Sequence, residues 1–123
     1  MSSPVLTKLF YIHLIHLTII GAFLLYVGIV NTKMPSFMYT ILLITGILIV
    51  LAHGYEAFTH YGKPNSYLWV NLLHIFIIAP VILMIGYNGV KTPSYYFQFM
   101  LMLGFAAIGY HGYYVVKELM PIM

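Results

Sequence analysis

Six histidines interrupt a chain that is otherwise almost free of ionisable groups, and four of them, His16, His53, His74 and His111, stand inside apolar runs. An imidazole in such a place can ligate a metal, carry a proton near neutral pH, or hydrogen-bond to a neighbouring helix. Because ionisable side chains are costly in apolar surroundings, they mark a site by default. Two of the four belong to a repeated tripeptide, His53-Gly54-Tyr55 and His111-Gly112-Tyr113.

Each chemistry sets its own requirement. A haem b held by two imidazoles needs ligands at equal depth on facing helices and room for a flat macrocycle. His53 and His111 would be the ligands, and Gly46 and Gly104, seven residues before them, would leave the room. His16 and His74 form a second pair, able to serve instead or to bond the propionates. A bare transition metal ion would draw on His16, His53, His74 and His111 together, which suits zinc or copper; adding Glu56 or Glu118 suits iron or manganese. The Glu-x-x-His order of carboxylate-bridged bundles is missing, since His53 and Glu56 run the other way. A proton or ion path would use the imidazoles as a relay, but only an oligomer could continue it. Beyond the histidines the first span offers only Thr18 and Tyr26, and the third nothing comparable. No residue is assigned a catalytic role. There is no cysteine, no phosphate-binding loop and no serine–histidine–acid set.

Positioning these groups falls to helices in a membrane. The 123 residues are 63% hydrophobic and 6% charged, with a mean hydropathy of +0.98, more apolar surface than a soluble domain of this length could hide. Residues 1–123 are read as a single transmembrane domain. Four segments, about 9–30, 36–58, 67–87 and 94–117, each exceed the roughly 18 apolar residues needed to cross a bilayer. The first is longer than the roughly 7–15 residues of a signal-peptide core and is read as a retained span. The connections "NTKMPS" and "GVKTPS" are tight turns with a proline where a helix can begin. The middle one, "THYGKPNS", is longer and broken by Gly62 and Pro64. Tyrosines and Trp69 gather near the predicted ends, as an interfacial belt does.

Sliding the chain on itself by 58 residues aligns 11–60 with 69–118 at about 14 identities in 50 positions. His16 falls on His74, Gly28 on Gly86, Lys33 on Lys91, Pro35 on Pro93, Gly46 on Gly104, and His53-Gly54-Tyr55 on His111-Gly112-Tyr113. His13, one turn from His16, falls on Asn71, and Glu56 falls on Tyr114. The expected fold is therefore all-α: an integral membrane four-helix up-down bundle made of two tandem hairpin repeats, about 9–60 and 67–118. A pseudo-two-fold axis along the membrane normal would relate them. In each repeat the first histidine precedes the turn proline by 19 residues and the second follows it by 18. At about 1.5 Å per residue all four then share one depth.

The expected function is binding of haem b or a metal cofactor at this four-histidine layer, with electron transfer as the activity. The alternative is a structural or accessory subunit of a membrane complex without a cofactor; the third reading is a proton- or ion-conducting oligomer. The expected partners are the lipid bilayer and other membrane subunits or further copies of the chain. A net charge of +3, spread over five lysines, excludes nucleic acid. The absence of arginine excludes a voltage-sensing helix. Lys8, Lys63 and Lys117 against Lys33 and Lys91 favour cytoplasmic termini for this multi-pass chain.

Overall fold

The computed structural model describes residues 6–64 and 67–123 and is all-helical. Four helices are long and apolar enough to cross a membrane: α1 (Lys8–Lys33), α2 (Phe37–Thr59), α3 (Leu68–Lys91) and α4 (Ser94–Leu119). Their outward residues are large and apolar. Phe58 and Phe76, 86% and 71% exposed, suit contact with lipid. Residues 1–5, and Asn65 and Ser66 of the middle connection, lie outside the described residues.

Local sequence sets the helix ends. The Thr7 hydroxyl caps α1 by accepting the Phe10 N–H. Asn31 and Gly89 both adopt a φ of +57°, a left-handed conformation that glycine takes freely and asparagine tolerates. Each opens one tight 3-10 turn, Asn31–Lys33 and Gly89–Lys91, closed by the N–H of Met34 or Thr92 on its first carbonyl. Pro35 and Pro93 then start the next helix, their carbonyls accepting from Met38 and Tyr96. Inside α1 and α3 the winding widens for one π turn, at His16–Ile20 and His74–Ile78. Such bulges recur at functional sites, and here each begins on a histidine.

The chain forms two compact units, one joining α1 up to Ile29 with Gln98–Met123, the other spanning Val30–Phe97. In the first, α1 packs on α4 through glycines. A Cβ on Gly28 would stand 2.5 Å from Leu101 Cγ, and one on Gly104 would stand 2.9 Å from Leu25 Cδ2. In the second, α2 packs on α3 in the same manner, with Gly86 against the Leu43 backbone and Gly46 against the Leu83 side chain. Lipid tails are as apolar as leucine, so close approach and dispersion, rather than water exclusion, hold such pairs together.

One buried polar group in the second unit has no counterpart. Tyr39 is 8% exposed, and its hydroxyl has no hydrogen-bond partner among the described residues. The position 58 residues on is Phe97, also buried. Leaving a buried hydroxyl unpaired costs about 1–3 kcal/mol. Tyr39→Phe should therefore raise the thermal unfolding midpoint in detergent, whereas Tyr87→Phe, at an exposed position, should leave it unchanged. A lower midpoint for Tyr39→Phe would mean that the hydroxyl is bonded after all.

Candidate metal-ligating histidines

His16 lies on α1, His53 on α2, His74 on α3 and His111 on α4. In the unit formed by α2 and α3, the rings of His53 and His74 stack with centroids 3.9 Å apart and planes 17° from parallel. His53 Nδ1 lies 2.9 Å from Asn71 Oδ1. His74 Nδ1 lies 2.7 Å from the carbonyl of Val70, one turn back. Asn71 and His74 are buried, and for the amide in particular the hydrogen bond offsets a desolvation that would otherwise be costly.

In the unit formed by α1 and α4, the His16 and His111 rings lie 4.7 Å apart at 32°. His16 Nδ1 lies 2.8 Å from the carbonyl of Ile12, again one turn back. His111 Nδ1 lies 2.8 Å from His13 Nδ1. His13 is itself stacked on Tyr114 at 4.8 Å and edged by Tyr110. The ring pairing and the bond to the carbonyl one turn back have matches 58 residues away in the other unit, where Asn71 stands in place of His13 and Ala52 and Glu56 in place of Tyr110 and Tyr114.

These bonds fix chemistry. A carbonyl oxygen only accepts, so Nδ1 of His16, of His74 and, facing the Asn71 oxygen, of His53 must carry the proton. Nε2 then carries the lone pair. That is the tautomer in which a metal-bound imidazole is held, its other nitrogen donating to a carbonyl or carboxylate. Within the α2–α3 unit, His53 and His74 are thus two histidines that could hold a metal ion. No family model, curated protein or solved structure matches this chain.

The remaining candidates fall elsewhere. Glu56 Oε2 lies 3.0 Å from His60 Nδ1, and both side chains are about half exposed. Glu118 accepts the Thr7 N–H at 2.9 Å, pinning the start of α1 to the end of α4. The strips beside Gly46 and Gly104 are filled by Leu83 and Leu25. Two residues outside the sequence-derived site set, Asn71 and His13, are the immediate partners of His53 and His111. Their signal in the sequence was position: each stands three residues before the first histidine of its repeat, where a helix turn brings it to the same face.

Proposed function

We propose that this integral membrane protein binds a transition metal ion through the Nε2 atoms of His53 and His74, and that the bound metal serves electron transfer. The observation that carries the reading is the bond from each Nδ1 to an oxygen, at 2.9 and 2.7 Å, which sets both imidazoles in the ligating tautomer. A haem b is the second form such a metal could take. The glycine strips meant to admit it are occupied by Leu83 and Leu25, so a bare ion is favoured. Imidazole ligands without thiolates suit zinc, copper or nickel; only copper among these supports one-electron chemistry readily.

The architecture we assign is a tandem duplication forming an up-down bundle, its repeats at about 9–60 and 67–118. The π turns, the 3-10 turns, the glycine–leucine contacts and the histidine bonds all recur at an offset of 58 residues, which supports it. The termini are assigned to the cytoplasm on the lysine count, and assembly with other membrane subunits or further copies is part of the reading.

The competing reading is a subunit whose histidines only satisfy neighbouring groups within each helix pair; the His13–His111 bond favours it. Elemental analysis and an absorption spectrum of the protein purified in detergent separate the two. Stoichiometric copper, or saturable uptake of added Cu²⁺ or Co²⁺, is the expected result; stoichiometric zinc, which has no redox chemistry, would keep the metal site and overturn electron transfer. A Soret band would replace the bare ion with haem. A colourless protein that takes up neither ion would leave the structural subunit.

A further inference from the structure

Within the α1–α4 unit, His13 and His111 hold their Nδ1 atoms 2.8 Å apart. Two bare nitrogens would repel at that distance, and so would two protonated ones, so one proton lies between them. A neutral imidazole donates at one nitrogen and accepts at the other, and either ring can be the donor. The neutral pair therefore holds two protons on four nitrogens: one between the rings, and one on Nε2 of whichever ring accepts. The matching place in the α2–α3 unit carries Asn71, whose oxygen only accepts, and there the proton stays on His53.

The surroundings of the pair suit a cation. The Tyr114 ring lies 9° from parallel with His13 at 4.8 Å, and Tyr110 packs against His13 at 6.1 Å and against His111 at 5.0 Å. A tyrosine face attracts positive charge, so an imidazolium at His13 is met by Tyr114. The other titratable groups on this side of the two helices are three. His16 faces His111 at 4.7 Å, Glu118 stands one turn beyond Tyr114 on the same face of α4, and Lys117 Nζ lies 5.9 Å over the Tyr114 ring. One carboxylate offsets one ammonium. His13 and His111 are 7% and 6% exposed, so little water competes for the bond between them.

We infer that His13 and His111 form a proton-binding site that takes up one proton and passes it between α1 and α4. The arriving proton binds the bare Nε2 of the donating ring, which becomes an imidazolium, and the bond between the rings becomes charge-assisted. The shared proton then crosses the 2.8 Å gap to the other Nδ1. That ring releases the proton on its own Nε2. Only N–H bonds form and break, and the two rings have exchanged roles. A second extra proton is refused, because it would protonate both facing nitrogens. The site stands independently of metal binding at His53 and His74.

The test is nitrogen-15 magnetic resonance of the imidazoles of the full chain in detergent without added metal. It is followed from about pH 8 to about pH 5, the range in which histidines titrate. Two Nδ1 atoms should be coupled across their hydrogen bond, with shifts between those of a protonated and a bare nitrogen, because the proton visits both. On acidification these two rings should take up one proton together, at a single shared midpoint. His13→Asn should abolish the coupling and fix the His111 proton on Nδ1, the form His53 has beside Asn71. His111→Asn should do the same for His13, and His60→Ala should change neither. A pair that only packs would keep one fixed tautomer per ring throughout. Separate rings would titrate at their own midpoints, unmoved by replacement of the other. Either result overturns the inference, as does the absence of any coupled pair. The coupling identifies the pair in the parent spectrum, which decides the matter even where a variant folds poorly.

Discussion

His53→Ala and His74→Ala should each lower the affinity for Co²⁺ or Cu²⁺ about a hundredfold, while His60→Ala should leave it unchanged. The size follows from metal energetics. Binding by four protein ligands is worth about 10–16 kcal/mol in structural zinc sites, or about 3 kcal/mol per ligand. At about 1.4 kcal/mol per tenfold, one lost imidazole removes about two orders of magnitude. His60 is the suitable control because its Nδ1 is already engaged by Glu56 and by the Thr59 hydroxyl, on a half-exposed stretch at the end of α2. A fold defect reads differently from a ligand defect. His74 is buried against His53 at 3.9 Å, so His74→Ala also opens a small cavity and should lower the unfolding midpoint. His53 is partly exposed, and its replacement should spare the midpoint while sparing little of the affinity. Two variants that bind as tightly as the parent would leave the histidines a packing role alone.

Much of the fold was legible because membranes simplify it. A span must satisfy every backbone group internally, so a long apolar run has no choice but to become a helix; α1 to α4 follow from that rule and from the proline-marked turns at Pro35 and Pro93. Counting from a turn fixes a residue's height along its helix, so the level at which His53 meets His74 and His16 meets His111 was legible. What counting could not give was direction. Which neighbour an imidazole meets depends on helix rotation, and rotation is altered by the π turns at His16–Ile20 and His74–Ile78, which no periodicity in the sequence announces. What Gly46 and Gly104 make room for was not legible either. A glycine removes a side chain, but whether the space admits a cofactor or a neighbouring leucine is decided by the facing helix, and here the occupants are Leu83 and Leu25. Glu56 attracted a ligand role through its place one turn from His53. The helix turns it instead toward His60, an i,i+4 partner at 3.0 Å.

Gly86→Ala should destabilise the α2–α3 pair by about 1–3 kcal/mol, the usual range for forcing a methyl into a packed interface, and Gly86→Leu should prevent the pair from closing. The obstacle is backbone. A Cβ on Gly86 would stand 2.9 Å from the Leu43 amide nitrogen and 2.9 Å from the Tyr39 carbonyl oxygen, atoms that cannot rotate away, so the helices themselves must separate. Dispersion falls steeply with such a gap, and no hydrophobic force within the bilayer opposes it. Gly46→Ala should be milder, because the Cβ would meet side-chain rather than backbone atoms, Leu83 Cγ and Cδ2, both at 2.6 Å, and the leucine can change rotamer. Gly54→Ala should be neutral to within about 0.5 kcal/mol, since nothing lies within 4 Å of where its Cβ would be. The order Gly86, Gly46, Gly54 in unfolding by sodium dodecyl sulfate checks the packing directly; equal effects at all three would refute it. The same series reaches the histidines. His53 and His74 lie on the helices that Gly86 holds together, and their rings touch face to face. A separation at Gly86 that propagates along the pair should therefore weaken Co²⁺ binding in proportion to the lost stability, and Gly54→Ala should leave both untouched.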